Sequence, residues 1–237
     1  SQAEGFVIVY ADLGTTINEL SRVSSSRTGD IFSTNETITI DNLNNNGIEL
    51  SISAISQTYS ITYSIHGYLS SSPVITVTTT ANDTTISAVA DRIVDAVTSQ
   101  SSYLSATKNN DNTVRIEVID KNKIADFSVT GDIEIIRAYK PVYVTSNTYV
   151  SSEAAINTIT KIGTPVTGWR GVTNPFIIEA SKGVETDEEF RYRIKIIKGG
   201  ANSGSYNSIS YAVSSVKGVS FCNIKQNFSG NSFNGIN

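Results

Sequence analysis

The densest charge in the chain, Asp187, Glu188 and Glu189, is the first place to look for chemistry. Neighbouring carboxylates can divide acid and base roles in hydrolysis or hold a metal ion. Here Thr186 precedes them and Glu189 lies three residues on, the spacing at which cap and side chain each bond the other's backbone N–H. Phe190, Ile194 and Ile197 then share one helical face, and Gly199-Gly200 stops the turn. Acidic residues in a first turn complement the helix dipole, so the cluster reads as a helix start.

Other candidates thin out in the same way. His66 is the only histidine and Cys222 the only cysteine, too few for a zinc site or an internal disulfide. A Ser-His-Asp triad would have to use His66, which sits in a strand-like run. Cys222, in the alternating stretch VSFCNI, reads as a small core residue. The loops LNNNG (43–47) and NNDN (109–112) lack the alternating acidic ligands of a calcium loop. KGGANSGS (198–205) is glycine-rich before a helix but lacks the phosphate-loop order and a preceding strand. Trp169 beside Arg170 has the chemistry to stack on a sugar or a partner, and burial under the proline-bounded loops is the simpler expectation. Asn82-Asp83-Thr84 and Asn227-Phe228-Ser229 match the glycosylation sequon, with no secretion signal beside them. The residues thus predict no catalytic group, cofactor, metal or small-molecule substrate.

Composition narrows the classes further. Across 237 residues, 22 acidic side chains face 18 basic ones, with no polybasic run, which argues against nucleic acid. No apolar run approaches the roughly 20 residues that span a bilayer, so a soluble chain is expected. Methionine is absent even at position 1, and with the ending FNGIN this points to part of a longer chain. Ser, Thr, Asn, Ile and Val dominate, a mixture that favours strands and turns and suits a protein lying against other proteins, or a secreted adhesin.

The elements that must position these residues are legible in outline. Residues 6–10 (FVIVY) read as a buried strand, and 13–28 as one or two helical turns through Ile17, Leu20 and Val23. Residues 36–40 alternate, the asparagines and glycine of DNLNNNG favour left-handed turns, and Ile48, Leu50, Ile52 and Ile55 begin another strand. Tyr59, Ile61, Tyr63 and Ile65 alternate before a strand at 74–77. A helix is predicted from about 84 to 99, capped by Asn82, Asp83 or Thr84, with an apolar stripe of Ile86, Val89, Ala90, Ile93, Val94 and Val97. Strands at 103–108 and 113–119 join through NNDN, and 127–130, 133–136 and the region of Pro141 supply more. A second helix is predicted over 205–217 and a strand over 219–225. The expected class is α+β: a β-rich chain of several subdomains, with a strand-strand-helix-strand-strand unit and a C-terminal helical segment. The expected divisions are 1–56 (β), 57–137 (an inserted α+β unit), 138–181 (β-rich) and 182–237 (helical, cut short).

One stretch resembles a known family. Its order IGTPVTGWRGVTNP (162–175) followed by GVETDEEFRYR (183–193) looks like the baseplate J family, the baseplate wedge proteins of contractile-tailed bacteriophages. The residues carrying the likeness are Thr164, Pro165, Gly168, Trp169, Asn174 and Pro175, then Glu185, Thr186, Asp187, Glu188, Glu189, Phe190 and Arg191. The Gly199-Gly200 connector, the helix after Ser205 and the exit Val216-Lys217-Gly218-Val219 extend it, so the specific likeness covers about 138–237 and a looser one the rest. Within the family, the presence of the inserted unit makes the chain more similar to the larger wedge protein of T4-like phages than to the short form. The resemblance implies a structural, non-enzymatic virion component in the tail baseplate, assembled in the host cytoplasm. Its implied partners are other wedge proteins and a second copy of itself, with no nucleic acid, membrane or small-molecule substrate. The alternative is a secreted adhesin or receptor-binding β-rich domain.

Overall fold

Alternation of β-branched and hydroxyl residues makes strands through most of the chain. The computed structural model describes residues 2–148 and 153–179. They form β1 (Glu4–Asp12), β2 (Thr16–Ile17), β3 (Arg22–Ser25), β4 (Ile31–Thr34), β5 (Ile38–Thr39), β6 (Gly47–Ile52), β7 (Thr58–Ile65) and β8 (Val74–Thr78). Then follow α1 (Ile86–Gln100), β9 (Leu104–Lys108), β10 (Val114–Val118), β11 (Ala125–Thr130), β12 (Ile133–Ser146), β13 (Ile159–Ile162) and β14 (Trp169–Thr173). The fold is β-rich, with three sheets and one helix among the described residues. The predicted helices after Thr186 and Ser205, the strand at 219–225 and Cys222 lie outside them.

The fourteen-residue β12 organises the rest. Along one edge it pairs with β1, from Glu4 opposite Thr145 to Asp12 opposite Arg137. Its other edge is shared, by β6 over residues 133–139 and by β4 over 144–146. The order β14-β1-β12-β4-β3-β13 curls until β13 lies beside β14. Ala154 and Ile178 exchange both backbone bonds at 2.9 Å and help close this barrel. Val7, Val9, Val23, Phe32, Val144 and Ile159 are buried in this half.

The other half is a sandwich of β6-β10-β9 against β11-β7-β8. In β7, Tyr59, Ile61, Tyr63 and Ile65 all face the core, as their period of two predicts. α1 packs against the outer strands of both sheets, β9 and β8. Val89, Ile93 and Val97 are fully buried, and at about 1.5–3 kcal/mol each their burial outweighs the marginal propensity of so short a helix. Its C-terminal end guards a sheet edge. The Gln100 amide accepts from Thr76 N–H at 3.1 Å and donates to Thr76 C=O at 2.8 Å, copying a ladder rung on β8.

The structure corrects several local expectations. Residues 13–28 are not helical: Ile17 and Val23 enter the core from β2 and β3, while Leu20, 70% exposed and at φ +65°, turns the chain between them. Residues 36–40 hold only the two-residue β5, paired to β2. The helix cap is Thr85, whose side chain accepts Ala88 N–H at 3.1 Å; Asp83 instead takes Thr80 N–H at 2.6 Å. Ile55 is exposed beyond the end of β6. In DNLNNNG, Asn44 takes the left-handed conformation, and Gly47 serves a different need. A Cβ there would lie 2.6 Å from Ile116 C=O, so glycine permits the close approach of β6 to β10. β6 pairs with β10 as well as β12, and β12 runs unbroken past residue 137, so one sheet takes strands from both sides of residues 56 and 137.

Candidate functional site

Period two in β6 sends Ile48, Leu50 and Ile52 to the core and Glu49 to the opposite face, where solvent would be expected. Glu49 is nevertheless only 1% exposed. The register explains this, because β12 sets Arg137 opposite it on one side and β10 sets Arg115 opposite it on the other. Arg137 Nη1 donates to Glu49 at 3.0 Å, Thr113 Oγ1 at 2.7 Å and Asn109 Nδ2 at 3.1 Å, and the Tyr10 hydroxyl donates as well. Arg137 Nε also donates to Asp12 Oδ1 at 2.9 Å, and Arg170 holds Asp12 Oδ2 at 2.6 Å. The chain Arg170–Asp12–Arg137–Glu49 therefore crosses β14, β1, β12 and β6, joining barrel to sandwich.

An aromatic layer covers this seam. The Tyr10 and Tyr139 rings stack with centroids 4.5 Å apart, and the Arg115 guanidinium lies 4.4 Å over Tyr139. Arg115 pairs with Glu117 at 2.7 Å, and Lys121 pairs with the same carboxylate at 3.0 Å. Arg115 Nε is buried without an acceptor, a cost the ring contact offsets in part.

The electrostatics lock these charges in place. Hydrogen bonds from Arg170, and then from Arg137, hold Asp12 below the ordinary carboxylate range against a smaller opposing effect of burial. Burial opposes the Arg137 charge, but Asp12, Tyr10 and Glu49 outweigh it and keep the guanidinium protonated. Burial pushes Glu117 up, and Arg115 and Lys121 bring it below its usual value. The Tyr10 and Tyr139 phenols are raised, chiefly by burial, and stay neutral. Glu49 and Asp12 are engaged by neighbours on every side. Such a seam supplies fixed charge and stiffness.

The proline-bounded stretch is built into the same junction. Thr164 Oγ1 accepts Arg22 N–H at 3.0 Å and pins the end of β13 to β3, with Pro165 exposed beside it. Gly168, at φ +91°, gives its C=O to Asp12 N–H at 2.9 Å in a space where a Cβ would strike Thr15 Oγ1. Trp169 is 7% exposed, its Nε1 donating to Gly171 C=O at 3.0 Å, as the burial expectation held. Its neighbour Arg170 turns to Asp12. Asn174, completely buried ahead of Pro175, closes the barrel. Its Oδ1 accepts Thr158 N–H at 3.0 Å and Ile159 N–H at 2.9 Å, and its Nδ2 donates to Ala155 C=O and Phe176 C=O at 2.8 Å each. Glu185, Thr186, Asp187, Glu188, Glu189, Phe190 and Arg191 lie outside the described residues.

His66 occupies the turn after β7, a correction to its strand-like reading, with Nε2 2.8 Å from Asp126 Oδ2. Burial raises Asp126, but Asn44 N–H and His66 outweigh it, and the carboxyl sits below its usual range. Glu49, Arg137, Arg115 and Asp12 were not singled out by their types or spacing. The available signal was the presence of charged residues at the outward parity of short apolar strands, as at Asp12 in β1, Glu49 in β6 and Arg115 in β10.

Among the described residues no group of three or more His, Cys, Asp or Glu side chains converges as a metal site requires. No helix among them is long and apolar enough to cross a membrane. No protein-family model matches the chain, and no curated protein matches it.

Proposed function

We propose that this chain is a structural component of a contractile phage tail, a baseplate wedge protein that joins subunits into the ring around the hub and relays sheath contraction. The observation that carries the reading is the Arg170–Asp12–Arg137–Glu49 seam, whose charges are saturated by the protein's own groups across four strands. A part that passes force between neighbours needs halves that do not shear, and an ion chain anchored at the buried Glu49 and carried across four strands resists shear. The likeness carried by Thr164, Pro165, Gly168, Trp169, Asn174, Pro175 and the 185–191 cluster supports the same reading. On this proposal the protein is not an enzyme and takes no cofactor. It resides in the virion after assembly in the host cytoplasm, and its partners are other wedge proteins and a second copy of itself. The helical segment over 182–237 belongs to the proposal too.

The full-length protein, mixed with the tail proteins encoded beside it, is expected to elute as a stable hetero-oligomer in size-exclusion chromatography. A persistent monomer that binds glycans would replace this reading with the adhesin one. A polar groove of about 420 Å³ between β3, β4 and β12, lined by Glu19, Arg22, Ser33, Asn35 and Asn147 among others, is the feature that favours that second reading.

A further inference from the structure

The outer edge of β12 contains a break, and its chemistry specifies what fits there. Ser146 N–H donates to Ala3 C=O and Leu13 N–H to Ile136 C=O, so from Ile136 to Ser146 even-numbered residues of β12 bond β1 and odd-numbered ones face the other edge. On that edge β6 ends opposite Tyr139, whose C=O accepts Asn46 N–H at 2.7 Å. β4 begins opposite Val144, and Asn35 N–H reaches Tyr143 C=O at 3.1 Å. Between them Pro141 C=O and Tyr143 N–H have no strand opposite them among the described residues. Proline suits this place, since its missing N–H would have pointed into the break.

A cleft of about 250 Å³ opens there, lined by Phe6, Glu36, Lys121, Ile124, Pro141 and Tyr143 among others. It is smaller than the roughly 300–1,000 Å³ of small-molecule pockets. Tyr143 is 52% exposed, an aromatic wall left facing solvent. Lys121 is already paired with Glu117, whereas Glu36 is exposed and meets no cation among the described residues.

We infer that this break is a docking cleft for a short extended segment of another protein, one with an apolar side chain beside a basic one. An acceptor and a donor two residues apart on one strand edge are what an added strand uses, with side-chain pockets giving selectivity. The apolar side chain lies against Phe6, Ile124 and Tyr143, and the basic one meets Glu36. The cleft lies on the barrel–sandwich junction, so an added segment bridges both halves. This reading does not depend on the wedge proposal, because it concerns binding of a peptide and not assembly of a ring.

The test uses the full chain and the peptide acetyl-Lys-Val-Thr-Val-Lys-amide, followed through backbone amide NMR shifts. The expected shifts centre on Phe6, Ile124, Val142 and Tyr143, and Tyr143 N–H gains protection from exchange. N-methylating both valines is expected to weaken binding about tenfold or more through lost main-chain bonds. Glu36→Lys is expected to weaken it about fivefold, an effect that fades as salt is raised. Three results would overturn the inference: equal binding of the N-methylated peptide, shifts that map elsewhere, or slow exchange of Tyr143 N–H in the free protein. The last would mean that the chain itself, or a second copy, fills the break.

Discussion

Arg170 Nη2 lies 2.6 Å from Asp12 Oδ2, closing a separation of 158 residues along the chain. The contact ties the last described strand to the first. Arg170→Ala is expected to raise the Asp12 titration towards the ordinary carboxylate value. A carboxyl whose folded pKa is depressed adds stability above its unfolded pKa of about 3.9, and loses it as pH falls through the folded value. The stability gap between wild type and variant should thus be full at neutral pH and vanish in strong acid. Urea midpoints across that range, with an NMR titration of Asp12, check it; a gap independent of pH would count against the pairing.

Glu49→Ala leaves the Arg137 guanidinium without its deepest partner. Breaking a buried pair from one side costs about 3–5 kcal/mol, and the low end applies because the Arg137 side chain keeps 25% exposure. Equilibrium urea unfolding should show the midpoint falling with little change in slope. Loss of less than about 1 kcal/mol would mean the seam is held by its aromatic layer instead.

Asn174→Ala removes two acceptor and two donor contacts at once. The Thr158 and Ile159 amides would be left buried without partners, at about 1–3 kcal/mol each before relaxation. Hydrogen exchange should rise first at residues 157–159, because Asn174 takes the place of a β13–β14 ladder. A uniform rise across the barrel would argue against a local closure.

Gln100→Ala uncovers one rung of β8. The predicted loss of stability is modest, about 1 kcal/mol. Light scattering should show association that grows with concentration, since an open strand edge invites pairing. An unchanged monomer at high concentration would show that Gln100 is not the guard.

Local patterns gave up their structure readily. β7, the α1 stripe and the 109–112 hairpin follow from period and turn chemistry, and Asn112 takes the left-handed turn position at φ +62°. What stayed hidden depends on partners distant in sequence. Glu49 looks outward by parity and is buried only because Arg137 and Arg115 arrive on both sides. Asn174 reads as a proline-turn residue until the barrel curls Thr158 and Ile159 onto it. Ile17, Leu20 and Val23 have helical spacing, but Leu20 turns outward and two short strands carry the others inward. β12 reads as one strand at 133–136 and another in the region of Pro141 because the break that tolerates proline belongs to its neighbours.

β12 lends residues 133–139 to one half and 144–146 to the other while pairing with β1 over residues 137–145. Neither half is therefore a cassette that can be lifted out. Excising 57–137 would strip β6 of β10 on one side and of β12 up to Arg137 on the other. The two halves should melt as one cooperative transition, and a truncation that respects the apparent boundary at 137 would yield a sticky edge in place of a domain.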